Sequence, residues 1–493
     1  MSKSSIKQLS ELLVSTLVAF TITACSSEET TSQIDINGRI SGTVAKFTGI
    51  QPSKRALTRT SASYQVGGEA KVSWAGTDKI FVQDDAGTFY QSTATHFINT
   101  LDKSRADFTL NNGTYTQNNR EIRYTGVNGS NANTVTIAST QVQSSPNNFE
   151  HLGVSGDCGI ATAKGANGSY YFTLEHKSAY LCFLPRTTNT ALQACKLIRI
   201  VVYSDNEIAG NFGLTNAGLS SAPVSAGSHE ITLTTGSGFP LTNSTTDIST
   251  NGAYMVIAPG THALTIRYWL KTPDGRTGTI SKFISAISFD AGKIYDITAN
   301  FDSRVYSSNL YAWDAVSNAY PSGDVNMTMP TSSQGLMATN TAKIAPNSHE
   351  MFWYALKGDI HWDDTEELFV VDGIVYKGGI WIKRKENISG FSSTMDPPGL
   401  GGYYFPHSVL PPTNDVLNQY FYLPALGAKG IENFGYGHFD KPIGTCASYW
   451  TSTGTGMDNT VFRLRAYRLM IEKGTTGCFY DVRANGYAVA KFE

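Results

Sequence analysis

The run Lys196-Leu197-Ile198-Arg199-Ile200-Val201-Val202-Tyr203 indicates the fold class of this chain. Its β-branched and aromatic side chains are typical of a β-strand. Shorter runs of the same kind recur at residues 79–82, 120–124, 134–137, 170–174, 179–184, 231–233, 254–257, 264–270 and 292–299. The run 264–270 leads to Pro273-Asp274-Gly275, which is a hairpin turn signal. This spacing predicts two β-sandwich-like domains between about residues 34 and 302.

The composition agrees with a mainly β fold. Only 16% of the 493 residues are charged, while glycine and tyrosine are abundant at 46 and 25 residues. Long surface helices need more Glu, Lys and Ala than this chain supplies. The net charge of -2 gives no basic footprint for a nucleic-acid partner, and we expect none.

The start of the chain predicts export. Lys3 and Lys7 precede an apolar stretch at 12–20, which is too short for a membrane-spanning helix and is typical of a signal peptide. The sequence Ile22-Thr23-Ala24-Cys25 resembles the lipobox of bacterial lipoproteins. That resemblance implies a signal peptide over 1–24 and acylation of Cys25, which would anchor the precursor in a membrane. The alternative is an ordinary cleaved signal with a chance cysteine.

An acidic pair follows the predicted lipidation site. Glu28-Glu29 resembles the export signal of Bacteroides-type surface lipoproteins, which implies an outer-membrane lipoprotein precursor that reaches the cell surface.

The remaining cysteines are Cys158, Cys182, Cys195, Cys446 and Cys478. No pair has CxxC spacing, which argues against a structural zinc site. Cys182 lies in an apolar run and is predicted to be a core residue. Cys446 and Cys478 form either a disulfide or two buried free thiols, and the sequence leaves both open.

Four segments, taken in order, resemble the fimbrillins, which are pilin and pilus-associated lipoproteins of Bacteroidales. They are Leu57-Thr58-Arg59-Thr60-Ser61, the segment 74–82 that begins with Trp74, the segment 174–181, and the closing segment 291–297. Thr77, inserted between Gly76 and Asp78, departs from the family pattern. The resemblance covers about 34–302 and implies one fimbrillin domain over 60–185 and a second over 186–302.

The resemblance also gives a meaning to the basic stretch 54–59. Fimbrillins are cut by an arginine-specific protease, and here Arg59 fits the cleavage site best, with Arg55 second. The removable leader would then be 25–59, including a first strand expected at 34–45, because Gly49 and Pro52 interrupt the pattern after residue 47. Loss of a strand exposes an edge that a neighbouring pilus subunit can fill by strand exchange. The alternative is a solvated basic loop.

The segment from Ser303 onward has a different composition and carries five of the seven tryptophans. Its Leu423-Pro424-Ala425 and Tyr449-Trp450-Thr451-Ser452 resemble a repeated surface domain of Fibrobacter and Bacteroidales proteins, although Thr451 stands where that family has serine. The resemblance implies a mixed α+β, C-type-lectin-like domain over 303–493.

Three tryptophans of this segment are candidate ligand contacts. Trp362, Trp381 and Trp450 could stack on sugar rings of a glycan or host-surface ligand if they are exposed. The alternative is that all three are core residues.

The same segment holds a group of acidic residues. Asp363, Asp364 and Glu366, with Glu367 beside them, could supply oxygen ligands to calcium, although their spacing is not that of an EF-hand. The alternative is a solvated acidic turn.

Enzyme activity is not predicted. The sequence has no Gly-x-Ser-x-Gly elbow, His-Glu-x-x-His or phosphate loop. A glycan hydrolase would need a second carboxylate opposite the acidic group, and no partner can be identified.

These observations predict a pilus tip subunit that acts in adhesion. The last residues, 487–493, alternate like a structural strand, and the lectin-like domain takes the place of a donor segment. The runner-up is a permanently lipid-anchored surface glycan-binding protein. A surface glycan hydrolase is a further alternative.

Overall fold

The computed structural model describes residues 44–51, 64, 66–67, 73–100, 102–315, 336–431, 438–458 and 463–492. The fold is mainly β, as the sequence predicted. Among the described residues, no helix has the length and hydropathy needed to cross a membrane.

The N-terminal part builds one large sheet. The elements in this stretch of the chain are β1 Ala45–Ile50, β2 Phe81–Gln83, β3 Phe89–Gln91, β4 His96–Asn99, β5 Asp102–Leu110, β6 Asn119–Tyr124, β7 Thr134–Ile137, β8 Thr140–Val142, α1 Leu152–Ser155, β9 Gly159–Ala166, β10 Ser169–Thr173 and β11 Glu175–His176. Of these, β7, β8 and α1 belong to the next part. The described strands form a nine-stranded sheet in the order β3-β2-β6-β9-β10-β1-β5-β4, with β11 also paired to β9. Its core is rich in aromatic side chains, including Trp74, Phe108 and Phe172.

The first strand differs from the sequence prediction. We expected a strand at 34–45 and an interruption of the strand pattern after residue 47. Instead, β1 begins at Ala45 and runs through Gly49 to Ile50. Residues 34–43 lie outside the described residues. Gly49 does not break the strand because aromatic side chains fill the space where a Cβ would be, and glycine in a strand permits such close approach.

The middle part contains the run that indicated the fold class. Its elements are β12 Ala179–Arg186, α2 Thr190–Gln193, β13 Lys196–Ser204, β14 Ala209–Thr215, β15 Gly218–Leu219, β16 Ser225–Ser228, β17 Glu230–Pro240, α3 Ile248–Asn251, β18 Ala253–Ile257, β19 Gly260–Lys271, β20 Thr277–Phe289, β21 Ile294–Asn300, a 3-10 turn at Phe301–Arg304 and β22 Val305–Tyr306. β13 lies at the centre of a five-stranded sheet of order β20-β19-β13-β17-β8. β7 pairs with β14, so residues 134–142 belong to the sheets of this part.

The hairpin predicted at residues 273–275 is present. β19 and β20 pair antiparallel, and Thr272 donates its backbone N–H to the carbonyl of Arg276 across the turn at 2.9 Å. Gly275 has a φ of +90°, which favours glycine. On the edge that faces away from β19, β20 contacts the C-terminal part through a bridge between Thr279 and Glu367.

β12 joins β18 and β21 in a three-stranded sheet. This strand begins at Ala179, while the boundary between the two fimbrillin-like domains was expected after residue 185. The domain boundaries stay predictions. Residues Ala179 to Leu184 are all buried, and Cys182 is a core residue as predicted.

The described residues of the C-terminal part combine a helix of ten residues with short sheets. Its elements are a 3-10 turn at Thr341–Ile344, α4 Ser348–Lys357, β23 His361–Trp362, β24 Leu368–Val371, β25 Ile374–Lys377, β26 Gly379–Lys383, a 3-10 turn at Lys385–Asn387, β27 Tyr404–Pro406, a 3-10 turn at Leu417–Gln419, β28 Tyr420–Pro424, β29 Ala428–Ile431, β30 His438–Lys441, β31 Cys446–Asp458, β32 Arg463–Glu472 and β33 Thr475–Val482. β27, β33, β32 and β31 form a four-stranded sheet, and β23, β26 and β28 form a three-stranded one. The lectin-like assignment stays a prediction.

α4 begins with a capping box. The side chain of Asn347 accepts from the backbone N–H of Glu350, and the Glu350 carboxylate accepts from the backbone N–H of Asn347. This reciprocal pair satisfies two backbone donors at the helix start.

The strand predicted at 487–493 is not regular. Tyr487 and Ala488 form isolated bridges to Tyr311 and Tyr449 instead of a continuous ladder. Their side chains are buried, so this segment is held both by packing and by backbone hydrogen bonds such as that from the Tyr487 N–H to the Tyr311 carbonyl at 3.0 Å.

Candidate functional site

β1 is an interior strand of the nine-stranded sheet. It pairs parallel with β10 from Lys46↔Ser169 to Ile50↔Thr173, and antiparallel with β5 from Ala45↔Leu110 to Ile50↔Arg105. Both of its edges therefore bond to neighbouring strands. We call the space that β1 occupies between β10 and β5 the β1 slot.

The inner face of the β1 slot is aromatic. Phe47 is fully buried and stacks on Tyr170, with ring centroids 4.7 Å apart, while Tyr115 meets it edge-on at 5.5 Å. These contacts place Phe47 in the core of the N-terminal sheet.

Gly49 lies beneath three further rings. A Cβ at this position would meet Phe172 at 2.7 Å, Trp74 at 2.9 Å and Phe108 at 3.0 Å. The indole N–H of Trp74 also donates to the Gly49 carbonyl at 3.3 Å. The slot therefore accepts glycine at this point and no larger residue without displacement of an aromatic ring.

The outer face of β1 is held by one carboxylate. Asp107 on β5 accepts from the Thr48 hydroxyl at 2.7 Å and pairs with the Lys46 ammonium at 2.7 Å. Lys46 is mostly exposed, so this ion pair contributes little, and the buried hydroxyl contact contributes more.

The end of β1 enters a buried polar chain. The Gln51 amide oxygen lies 3.2 Å from Nε2 of His176, and Nδ1 of the same ring lies 3.0 Å from the Asp157 carboxylate. All three residues are buried. This chain fixes the point at which β1 leaves the sheet.

The predicted lipidation and cleavage residues, Cys25, Arg55 and Arg59, lie outside the described residues. Tyr64 is described, and its hydroxyl donates to the Asp296 carboxylate on β21 at 2.9 Å. Burial, followed by the hydrogen bond and charge of Asp296, raises the pKa of Tyr64, so it stays a neutral donor. The chain just after the basic stretch is therefore fastened to β21.

The three candidate stacking tryptophans are core residues. Trp362, Trp381 and Trp450 are 1%, 0% and 0% exposed. Their indole rings contact protein atoms, so they present no open ring face to a sugar. The prediction of ligand stacking is wrong for Trp362 and Trp450. Trp381 is also buried, although it forms part of the wall of a cavity.

The acidic group does not assemble into a calcium site. The buried Asp363 carboxylate accepts from the backbone N–H groups of Thr365, Glu366 and Glu367 and from the Trp381 indole N–H. These contacts close the turn at residues 363–367. Within the described ranges, no group of three or more His, Cys, Asp or Glu residues could hold a metal.

The other carboxylates of this group point to separate cations. Asp364 pairs with Lys473 at 2.8 Å, and Glu366 pairs with Arg267 at 2.7 Å. The expectation of a site from Asp363, Asp364 and Glu366 is therefore wrong, because each carboxylate is already used by a different partner.

Glu367, the fourth acidic residue of this group, is fully buried, as Asp363 is. Its carboxylate accepts from the Ser281 backbone N–H at 3.0 Å and from the Thr279 hydroxyl at 3.0 Å, and it pairs with Arg304 at 2.7 Å. The acidic run at 363–367 gave no signal for these contacts, since the partners of Glu367 are distant in sequence.

Cys446 and Cys478 are buried free thiols, so the disulfide alternative is wrong. β32 lies between their strands, with Cys446 opposite Glu472 and Cys478 opposite Leu469. Burial raises the pKa of the Cys478 thiol, which makes it unreactive.

No protein-family model matches this sequence, and no curated protein matches it. Among solved structures, it is similar to a candidate cell adhesion protein from Bacteroides ovatus, at 13% identity over 52% of this chain and 91% of that one, with a TM-score of 0.33. A candidate cell adhesion protein from Bacteroides fragilis shares 11% identity over 52% of this chain and 92% of that one, with a TM-score of 0.30. A minor pilin of Streptococcus agalactiae shares 9% identity over 52% and 94%, with a TM-score of 0.17. Since TM-scores below 0.5 do not establish a common fold, the fold assignment rests on the sheet topology above.

Proposed function

We propose that this chain is a cell-surface pilus subunit that acts in adhesion, and that a neighbouring subunit's strand replaces β1 after proteolysis. The observation that carries the proposal is the interior position of β1, immediately N-terminal to the basic stretch 54–59. Cleavage after Arg59, or after Arg55, would detach β1 from the rest of the chain together with the lipidated leader.

Removal of β1 would leave a specific vacancy. The strands β10 and β5 would each lose the partner that bonds to one edge, and the aromatic side chains around Phe47 and Gly49 would lose their cover. Unpaired edges with an apolar face are costly in water and are templates for another strand. A neighbouring subunit's strand would restore both the ladder and the burial.

The β1 slot sets requirements on such a strand. An incoming segment should place an apolar aromatic side chain where Phe47 stacks on Tyr170, and a glycine where Gly49 meets Trp74. This spacing of two residues follows from the alternation of side chains along a strand. It distinguishes acceptable donor strands from segments that are merely hydrophobic.

The contact between Tyr64 and Asp296 would keep the chain attached to the second part after cleavage. After cleavage at Arg59 the new end would begin at Thr60, a few residues before Tyr64. Because Tyr64 is fastened to β21, the cut would free β1 without loosening the second part.

Within this proposal, residues 303–493 are displayed at the pilus tip and contact the adhesion ligand. The precursor travels as an outer-membrane lipoprotein through Cys25, and an arginine-specific protease matures it.

The second candidate is a surface glycan-binding protein that keeps its lipid anchor. The complete bonding of β1 on both edges favours it as well, because an uncut chain already has a saturated sheet. The two functions differ in whether residues 25–59 survive on the cell surface.

N-terminal sequencing of the protein recovered from the cell surface separates them. A start at Thr60 supports strand exchange, whereas a blocked, acylated Cys25 supports permanent anchorage. Arg59→Ala, combined with Arg55→Ala if needed, should abolish maturation and incorporation into pili. Lys54→Ala is the matched control and should mature normally, and normal pili that contain the unprocessed arginine variant would contradict strand exchange.

A further inference from the structure

An open groove of about 700 Å³ lies where the five-stranded sheet of the middle part meets the C-terminal part. One wall is a face of β13, β17 and β19, and the other wall is formed by residues 365–366 and 410–415. This volume falls in the range of sites that hold small molecules.

The pairing of the strands places three side chains on the sheet wall. Tyr203 on β13 lies opposite Glu230 on β17, and Val201, two residues before Tyr203, lies opposite Arg267 on β19. Residues two apart on a strand share a face of the sheet, as do directly paired residues. Tyr203, Glu230 and Arg267 therefore line the groove together.

Arg267 joins the two walls. It is 6% exposed, and its guanidinium pairs with the Glu366 carboxylate at 2.7 Å and donates to the Asn414 side-chain oxygen at 3.3 Å. Asn414 in turn donates its amide N–H to the Glu230 carboxylate at 2.9 Å. These bonds run from the sheet to the loop 410–415 and back, so the chain itself holds the groove in shape, as in most small-molecule sites.

Tyr203 offers a ligand both its ring and its hydroxyl. The residue is half-buried, and His229 stacks nearly parallel to its ring, with centroids 5.8 Å apart, which fixes the plane of the ring. Burial, followed by the charges of Asp415 and Glu230, raises the pKa of Tyr203, so its hydroxyl stays protonated. Among the described residues, no hydrogen bond engages this hydroxyl or the exposed carboxylate of Asp415.

The charge of the groove is negative. Within the described part of the chain, its lining holds three carboxylates and one guanidinium, at Glu230, Glu366, Asp415 and Arg267. Just beyond the lining, Asp205 lies near Tyr203 and Arg199 lies near Arg267, and these two opposite charges offset each other. An acidic ligand would therefore be repelled, since like charges brought together across an interface are costly.

The lining suits a sugar without a charge. An aromatic ring packs against the apolar face of a sugar ring, while carboxylate oxygens accept hydrogen bonds from its hydroxyl groups. Glu366 and Glu230 are already bonded by Arg267 and Asn414, but a carboxylate has room for about four hydrogen bonds and can accept more.

We propose that this groove binds an uncharged sugar, with the Tyr203 ring packing against the sugar ring and Glu230 and Asp415 accepting from its hydroxyl groups. The proposal rests on the adhesion part of the proposed function, names its ligand class and adds residues of the middle part to the contact surface. It does not depend on strand exchange.

Isothermal titration of the purified full-length chain tests it directly. The probes are D-glucose, D-galactose and N-acetyl-D-glucosamine. D-glucuronate and D-galacturonate are the matched acids, and n-butylammonium tests for simple attraction of a cation. At least one uncharged sugar should bind about tenfold or more tightly than the acids and the amine. Failure of all three uncharged sugars to bind, or equal binding of an acid or of the amine, overturns the proposal.

Variants of Tyr203 locate the binding in this groove. Tyr203→Ala should weaken binding of the sugar by about tenfold, whereas Tyr203→Phe keeps the ring and should stay within about threefold of the wild type. Tyr171→Ala removes an exposed tyrosine of β10, which is not among the lining residues, and should bind like the wild type. Wild-type affinity in Tyr203→Ala, or equal losses in Tyr203→Ala and Tyr203→Phe, would overturn the packing of the ring.

Asp415→Asn tests the exclusion of acids. The variant keeps an acceptor for a hydroxyl group but loses the charge, so binding of the uncharged sugar should change little while D-glucuronate binds more tightly than to the wild type. An unchanged preference would overturn the role of Asp415. The comparison of probes on the wild type remains decisive if a variant does not fold.

The two proposals fail in different ways. Normal processing to Thr60 without binding of an uncharged sugar contradicts the groove proposal alone. Binding of such a sugar by a protein that keeps its acylated Cys25 contradicts pilus assembly alone.

Discussion

Phe47 stacks face to face on Tyr170, with an interplanar angle of 7°. The two residues lie on the neighbouring parallel strands β1 and β10, directly opposite each other in the register. This contact makes a strand that precedes the predicted cleavage site part of the core. Whatever occupies the β1 slot must supply an equivalent ring.

Phe47→Ala should therefore destabilise the unprocessed chain strongly. Removal of a fully buried phenylalanine costs about 3–5 kcal/mol through lost burial and the cavity that remains. Urea denaturation measures the free energy of unfolding. Tyr171→Ala, at a side chain 54% exposed on β10, is the control and should change it little.

Gly49→Ala should destabilise the same sheet by overpacking. The added methyl group would lie 2.7 Å from Phe172 and 2.9 Å from Trp74, which forces the rings to move at a cost of about 1–3 kcal/mol. Thermal unfolding of the unprocessed chain is the readout. Gly76→Ala meets only Phe97, at 3.9 Å, so equal destabilisation by both variants would contradict the tight fit at Gly49.

Glu367→Gln should be far more harmful than Asp364→Asn. Glu367 is fully buried against Arg304, and loss of its charge leaves that cation buried without its partner, at a cost of about 3–5 kcal/mol. Asp364 pairs with Lys473 at the surface, where such a pair contributes about 1 kcal/mol or less. Chemical denaturation of both variants compares them, and similar losses would refute the buried role of Glu367.

The sequence predicted the strands well wherever one face is apolar. The runs at 134–137 and 254–257 fall within β7 and β18, and the run at 196–203 falls within β13, because β-branched residues with short turns leave few other structures open. β1 was missed because Gly49 and Pro52 are turn signals, and only contacts with Trp74 and Phe172 from distant parts of the chain explain the glycine.

The site residues were harder to predict for the same reason. The aromatic character of Trp362 and Trp450 is visible in the sequence, but their exposure depends on packing that brings distant strands together. Glu367 and its partner Arg304 lie on separate elements, so no local motif marks their ion pair. Local patterns predict elements, whereas sites arise from their assembly.

Calcium should not stabilise this protein through the acidic group at 363–367. Asp363 already accepts four hydrogen bonds from the chain, and a metal ion would have to displace them. Thermal unfolding should be the same in calcium and in excess chelator. A calcium-dependent rise in the melting temperature that Asp364→Ala abolishes would contradict this.

Mild acid should destabilise the protein through His151. The ring is 8% exposed and its Nε2 lies 3.0 Å from the Tyr254 carbonyl, and burial lowers the pKa of His151 from 6.5 to about 4. Between these two values the unfolded chain binds a proton that the folded chain does not bind. The free energy of unfolding should therefore fall as the pH drops from about 6.5 towards about 4, by roughly 3 kcal/mol in total, and change no further from this group below that.

Urea denaturation at several pH values measures this fall. His151→Gln can still donate to the Tyr254 carbonyl but does not titrate, so the fall between pH 6.5 and 4 should shrink in this variant. His96→Gln, at an exposed position of β4, is the matched control and should keep the wild-type slope. An unchanged slope in His151→Gln would mean that another group, and not this buried imidazole, makes the fold sensitive to mild acid.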